Sequence, residues 1–309
     1  MRVNNMKEKV LLVYNPKAGN GVFSNNLDRV ILEFQKKGQI VVPMRASGKS
    51  GEIDGMFTGP GRCEFTKIIA AGGDGTVNAV VSSMMRNNID LPLAIFPAGT
   101  ANDLAYYFDI PTDITDMLHI ATGRGRTKMD VGVAGSKYFV NVMAMGMLVD
   151  VSQKTDPAAK NTLGIMAYYL RSMAELPKLR PIPVHIKCPE FSRDFDIHAM
   201  LVMNGRSAGG FKRIAPESSI NDGMFEVFIF KSMPVSNWGP FLTSLIQGRH
   251  TDNKYVEYIR TSELRIESEE DLITDVDGEP GDHLPIDIRN ITGRLTICTR
   301  ESDMKGNEW

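Results

Sequence analysis

Ile68-Ile69-Ala70-Ala71-Gly72-Gly73-Asp74-Gly75-Thr76-Val77-Asn78 is the stretch on which the fold turns. Apolar residues run into a glycine cluster, after which Val77, Val80, Val81, Met84 and Met85 fall at the i, i+3, i+4, i+7, i+8 spacing of a helix face. The order is strand, tight turn, helix. Gly72, Gly73 and Gly75 let backbone N–H groups come close to a ligand, Thr76 is a candidate N-cap, and the start of a helix favours anions. A phosphate suits such a turn. Asp74 is out of character, because a bare carboxylate repels phosphate unless a Mg2+ or a proton stands between them. A Gly-rich turn with a helix-capping Asp is the plainer alternative.

Working outward, Val10-Leu11-Leu12-Val13-Tyr14 reads as a buried strand that ends in the polar turn Asn15-Pro16-Lys17-Ala18-Gly19-Asn20-Gly21. Leu27 to Phe34 reads as a helix and Ile40 to Val42 as a second strand. Ser47-Gly48-Lys49-Ser50 looks like part of a Walker A loop, but Pro43 stands where the earlier glycine is required, so these residues are expected to form a surface turn. Downstream, Leu91 to Phe96 supplies a further strand, followed by Pro97-Ala98-Gly99-Thr100-Ala101-Asn102-Asp103 and a helix. Successive βα units place such turns side by side at the carboxyl edge of a parallel sheet. Asp103 is then expected to share a cleft with Asp74, its alternative being a first-turn acid that only stabilises its own helix.

A length of 309 residues suits about two domains, and 42% hydrophobic with 23% charged residues is ordinary for a soluble globular protein. With 35 basic against 37 acidic residues and no Lys/Arg block, neither a nucleic-acid footprint nor a strongly polybasic membrane footprint is present. Cys63, Cys188 and Cys298 lack CxxC spacing, which fits a reducing compartment and neither a disulfide framework nor a zinc site. The first residues lack an apolar signal region and no apolar run is long enough to span a bilayer, so the expected location is cytoplasmic.

From about Thr127 the texture changes. Lys128 to Val133 and Tyr138 to Val142 read as strands joined by Ala134-Gly135-Ser136-Lys137, a hairpin signal, and Asp130 sits in the first of them. Further strands are expected at Pro183–Lys187, Phe195–Met203, Phe225–Phe230, Tyr255–Arg260, Glu263–Glu267, Ile273–Val276, Ile286–Arg289 and Leu295–Cys298. So many short strands predict a β-sandwich. Two helices interrupt them. Trp238 to Ile246 has a core-packing face, and Asn161 to Leu176 is apolar on more than one side, as a buried helix is, or one that receives an acyl chain. Asp275 to Glu279 alternates acid with apolar residue or glycine, which would place three acids on one strand face.

Five motifs together, Asn15-Pro16-Lys17-Ala18-Gly19, Gly72-Gly73-Asp74-Gly75-Thr76-Val77-Asn78, Pro97 to Asp103, Asn221-Asp222-Gly223 and Asp277-Gly278-Glu279-Pro280, occur in the order found in the diacylglycerol kinase catalytic-domain family. The chain resembles its soluble bacterial lipid kinases over nearly the whole length. A lone Gly-Gly-Asp-Gly also occurs in NAD kinases and phosphofructokinases. The resemblance implies an α/β nucleotide domain over about residues 1–127, a β-sandwich domain over 128–298, a tail of 299–309 that returns to the first domain, and ATP in the cleft between them.

It also implies roles. Asn15, Pro16, Lys17, Ala18 and Gly19, together with Gly72 to Ala79 (Gly72, Gly73, Asp74, Gly75, Thr76, Val77, Asn78, Ala79), Gly99 and Thr100, resemble the nucleotide site, with Ser47 as the counterpart of a family Thr. Asp74, Asp103 and Asp130 resemble an acidic cluster that organises Mg2+ and ATP, and Lys160 a lysine that links the cluster to the second domain. Asp222 resembles a Mg2+ ligand, with the carbonyls of Ser219 and Met224 beside it. Glu279 resembles the general base of phosphoryl transfer with Asp277 close by, though residues one apart cannot be ranked from sequence. The leading expectation is an ATP-dependent kinase that phosphorylates a hydroxyl of diacylglycerol or a related lipid in transient contact with a membrane surface. A kinase of a soluble metabolite and a non-catalytic nucleotide-binding regulator are the alternatives. Assembly, whether monomer or homodimer, is encoded in no motif.

Overall fold

A computed structural model describes residues 8–21, 23–47, 51–58, 64–147, 149, 180–207, 214–246 and 248–301. The chain divides into two compact units, the first built from Met1–Met129 together with Gly293–Trp309 and the second from Asp130–Thr292. Strands β5 (Arg126–Ala134) and β15 (Ile286–Cys298) carry the chain from one unit to the other.

The first unit is a parallel α/β layer. Its strands β1 (Glu8–Tyr14), β2 (Gln39–Arg45), β3 (Lys67–Gly72) and β4 (Pro92–Pro97) lie in the order β2-β1-β3-β4, and the end of β15 adds a parallel partner through Thr296 and Ile297 beside Pro92 and Leu93. Every residue of β3 is buried, as expected of a central parallel strand covered on both faces. Pro43 is tolerated because, among the described residues, β2 has a partner strand on one side only. Helix α1 (Leu27–Lys36) buries Val30 and Phe34, one turn apart, and α2 (Asp74–Arg86) is buried continuously from Thr76 to Met85. Short α3 (Asp103–Tyr107) and α4 (Ile114–Thr122) follow β4. Asp113 caps α4 by accepting from the N–H groups of Thr115 and Asp116.

One detail of the opening stretch differs from expectation. Thr76 is not the N-cap of α2: the N–H groups of Thr76 and Val77 both donate to the Gly73 carbonyl, so the helix begins at Gly73 and Thr76 lies inside its first turn. Glycine at the cap leaves the approach to the first N–H groups clear of side chain.

The second unit is antiparallel, the β-sandwich that the spacing of short strands predicts. Long β9 (Phe191–Met203) pairs with β8 (Ile182–Cys188) along its first part, and its end lies between β7 (Val142–Gly146) and β10 (Phe225–Lys231). Outward from these run β11 (Val256–Thr261) on β10, β12 (Glu263–Glu267) between β8 and β15, and β13 (Ile273–Val276) between β7 and β14 (Glu279–His283). Short β6 (Lys137–Phe139) returns on β5. Phe139, Met143, Met145, Ile186, Ile197, Met200, Val202, Phe225, Val227 and Ile266 fill the interior. A second cluster gathers Met203, Phe228, Phe230 and Val256 with Trp238 and Phe241 of α5 (Trp238–Ile246). Two expected strands, Ile286–Arg289 and Leu295–Cys298, are one continuous strand, and β14 went unforeseen because Pro280, Gly281 and Asp282 have poor strand propensity. Among the described residues no helix is long and apolar enough to cross a membrane.

Candidate active site

In the first unit the loops after β1, β3 and β4 come together at the carboxyl ends of their strands. The Asn15 N–H donates to the Ala71 carbonyl at 2.9 Å, and the Ala98 N–H donates to the Gly72 carbonyl at 2.8 Å. The contact is backbone on backbone. A Cβ on Gly99 would lie 2.5 Å from the Gly73 Cα, and one on Gly19, whose φ is +55°, would lie 2.6 Å from the Ala98 carbonyl oxygen. Only glycine permits three loops to sit this close. Asn15–Gly19, Gly72–Ala79 and Gly99–Thr100 are therefore brought into one place, with the exposed cation Lys17 on the first loop.

Asp74 is the brace of this arrangement. Its carboxylate accepts from the backbone N–H of Asp103 at 2.7 Å and of Asn102 at 2.9 Å, which ties the start of α2 to the start of α3. Burial pushes its carboxyl above the ordinary range, and the two N–H donors pull it partly back. Asn102, in the left-handed region at φ +50°, accepts the Gly99 N–H and donates to the Gly99 carbonyl, both at 2.8 Å. Asp103 is buried as the first residue of α3. On the first loop, Asn15 Oδ1 accepts the Lys17 N–H at 3.0 Å. The Ser47 hydroxyl donates to Glu52, which engages the group expected to serve the nucleotide. Gly48 to Ser50 lie outside the described residues.

In the second unit Asp277-Gly278 forms a two-residue turn between β13 and β14, with Val276 opposite Glu279 and φ values of +49° and +86°. Positive φ at both central residues is the turn that matches strand twist, and Asp-Gly is among its preferred sequences. The expected single strand face carrying Asp275, Asp277 and Glu279 is thereby corrected, because the strand ends at Val276. The three acids have separate surroundings. Buried Asp275 accepts the Gly278 N–H at 2.9 Å. Asp277 accepts three backbone N–H groups, from Val140 at 2.7 Å, Asn141 at 3.0 Å and Val142 at 2.8 Å. Glu279 is exposed, and among the described residues its carboxylate has no partner.

Asp130 is fully buried and accepts the Gly223 N–H at 2.7 Å, while its own N–H donates to the Ile220 carbonyl at 2.8 Å. It closes the Asn221-Asp222-Gly223 turn. In that turn Asp222 accepts the Met224 N–H at 3.0 Å and pairs with the Arg260 guanidinium at 2.5 Å. Among the described residues no three His, Cys, Asp or Glu side chains are grouped to hold a metal ion. The Asp222 carboxylate is a hard oxygen donor of the kind that suits Mg2+, and Arg260 is the cation already beside it. Lys160 and the Asn161–Leu176 helix lie outside the described residues.

Sequence reading missed Asn102 and Asn204, and placed Asp275 on a strand face shared with Asp277 and Glu279 where it instead holds the Gly278 N–H. Asn102 carries a detectable signal, since Asn tolerates the left-handed region at a loop-to-helix junction. Buried Asn204 acts through backbone groups remote in sequence, which no local pattern reveals.

A parallel α/β unit with glycine turns packed together at its strand ends, followed by an antiparallel β unit, is the plan of a two-part phosphotransferase. Residues 9–134 match the profile described as diacylglycerol kinase catalytic domain, and residues 141–299 that of a YegS C-terminal NAD kinase beta sandwich-like domain. The diacylglycerol kinase of Bacillus subtilis (strain 168) is 31% identical over 94% of this chain and 96% of its own, and that of Staphylococcus saprophyticus is 29% identical over 98% and 99%. A crystal structure of a diacylglycerol kinase from Bacillus anthracis superposes with a TM-score of 0.77 at 25% identity, covering 96% of this chain and 98% of that one. The chain belongs to the diacylglycerol kinase family.

Proposed function

We propose that this protein transfers the γ-phosphate of ATP to a hydroxyl of diacylglycerol or a related lipid, in peripheral contact with a lipid surface. The observation that carries the reading is the contrast at the hairpin, where Asp277 is fully engaged by backbone donors and the neighbouring Glu279 is exposed without a partner. Glu279 is the residue assigned as base. Its carboxylate takes the proton of the acceptor hydroxyl as that oxygen bonds to the γ-phosphorus, and the bond to the β–γ bridging oxygen breaks to release ADP.

Phosphoryl transfer depends on holding phosphates and neutralising charge. The N–H groups at the glycine-rich start of α2 supply the hold, the loops Asn15–Gly19 and Gly99–Thr100 pack against that turn, and Lys17 supplies positive charge. The Asp74 carboxylate, which accepts the N–H groups of Asn102 and Asp103, keeps two of these loops in register. Mg2+ bound with ATP would offset phosphate charge, and a second Mg2+ site is assigned to Asp222 with the carbonyls of Ser219 and Met224.

Labelled phosphate transfer from Mg2+-ATP to a panel of lipids in mixed micelles tests the reading, wild type against Glu279→Gln. Label in a lipid, lost in the variant, is expected. Label only in a soluble metabolite would move the protein to the soluble-substrate alternative, and ATP binding with transfer to no acceptor would make it a regulator.

A further inference from the structure

We infer that Asn204 is a positioning residue that sets the base-bearing hairpin, an inference that rests on Glu279 being the base. Asn204 follows β9 and is completely buried, so no atom of it is open to a substrate. Its hydrogen bonds point at the loop that grips Asp277. The side-chain amide donates to the Val140 carbonyl at 3.2 Å, and the backbone N–H donates to the Asn141 carbonyl at 2.9 Å. The Val140 carbonyl and the Asn141 N–H belong to one peptide plane, as do the Asn141 carbonyl and the Val142 N–H. Peptide planes are rigid. Each plane has its oxygen on Asn204 and its N–H on Asp277. Asn204 therefore fixes the rotation of the two planes whose far ends hold the turn next to Glu279.

The same amide extends to a second turn. Its other donor goes to the Asp130 carbonyl at 3.0 Å, and the Asp130 carboxylate holds Gly223 in the Asp222 turn. One buried asparagine thus joins the two turns assigned to the base and to Mg2+. Its donors go to two carbonyls that are close together, a task that neither Asp, which has no donor, nor Ala can perform.

Asn204→Asp keeps the shape and turns the donor into an acceptor facing two carbonyls. Asn204→Ser keeps one donor and tests the same link more gently. For Asn204→Asp, kcat is expected to fall about 30-fold while KM for ATP stays within about twofold, the signature of a geometry needed only in the transition state. Amide exchange of Val140 to Val142 should quicken in the same variant. Asn204→Ser should recover part of kcat. In a double-mutant cycle with Asp277→Asn the losses should be far from additive, because both act through the same peptide planes. Unchanged kcat, additive losses, or a fall in activity that merely follows the folded fraction would each overturn the inference. Should Glu279→Gln retain wild-type turnover, the assignment of the base fails instead, and the two failures are distinguishable.

Discussion

Asp74 in the first unit and Asp277 in the second occupy the motifs that resemble catalytic machinery, and both spend their carboxylates on backbone N–H groups. Asp74 takes two, from the loop before α3, and Asp277 takes three, from the loop before β7. Each pins one turn to another. They differ in what stands beside them: next to Asp74 is glycine on both sides, which opens the backbone for a ligand, while two residues from Asp277 stands an exposed carboxylate. Under the function proposed above, the α/β unit works through main-chain N–H groups and the β unit through the exposed Glu279 side chain. An acid within a motif is therefore assigned by counting its donors.

This division is broken most severely at Glu279. Glu279→Gln keeps the side chain's size and removes the base, and turnover is expected to fall on the order of a thousandfold with KM for ATP little changed, as general-base loss does. A change of less than about tenfold in steady-state kinetics would remove Glu279 from the mechanism. Asp277→Ala should cost stability as well, about 2 kcal/mol by urea denaturation, because it strands three N–H donors at a part-buried turn. A variant that lost activity and no stability would show that Asp277 acts as more than a brace.

The corresponding break in the first unit is made at glycine. In Gly99→Ala the new Cβ would lie 2.5 Å from the Gly73 Cα, so the two turns must move apart. ATP binding by calorimetry is expected to weaken about tenfold, roughly 1.4 kcal/mol, with kcat at saturating ATP reduced less than binding. Equal loss in kcat and in kcat/KM would mean that these loops serve the transition state alone.

Much of this contrast was legible in the sequence. Apolar runs ending in Gly72-Gly73 and Pro97-Ala98-Gly99 place βα turns because they are local signals. What escaped was long-range. Thr76 looks like a helix cap until the Gly73 carbonyl is seen to accept the first helical bond. Three acids spaced by two residues look like one strand face until positive φ at Asp277 ends the strand. Asn204 reaches partners 64 and 74 residues earlier, and nothing within its own neighbourhood records them.

The smallest expected effect sharpens the comparison through pH. Burial moves Asp74 and the imidazoles of His198 and His250 in opposite directions, since it penalises whichever form is charged. The Asp74 carboxyl lies above its ordinary 3.8, so the folded chain holds that proton to higher pH than the unfolded chain does. The stability it contributes is fully present below 3.8 and is lost as pH rises through the folded value. His198, packed on Trp238, and His250, packed on Phe228, are depressed below 6.5 by burial. Their contribution is present above 6.5 and is lost as pH falls toward their folded values, because the unfolded chain takes up protons first. Thermal melts of ligand-free protein should therefore show His250→Leu flattening the loss of stability just below pH 6.5, and Asp74→Asn altering the slope only from pH 3.8 up to the raised folded value of that carboxyl. If Asp74→Asn left that slope untouched, the carboxylate would titrate alike in folded and unfolded chains, and its part as a buried brace would fall.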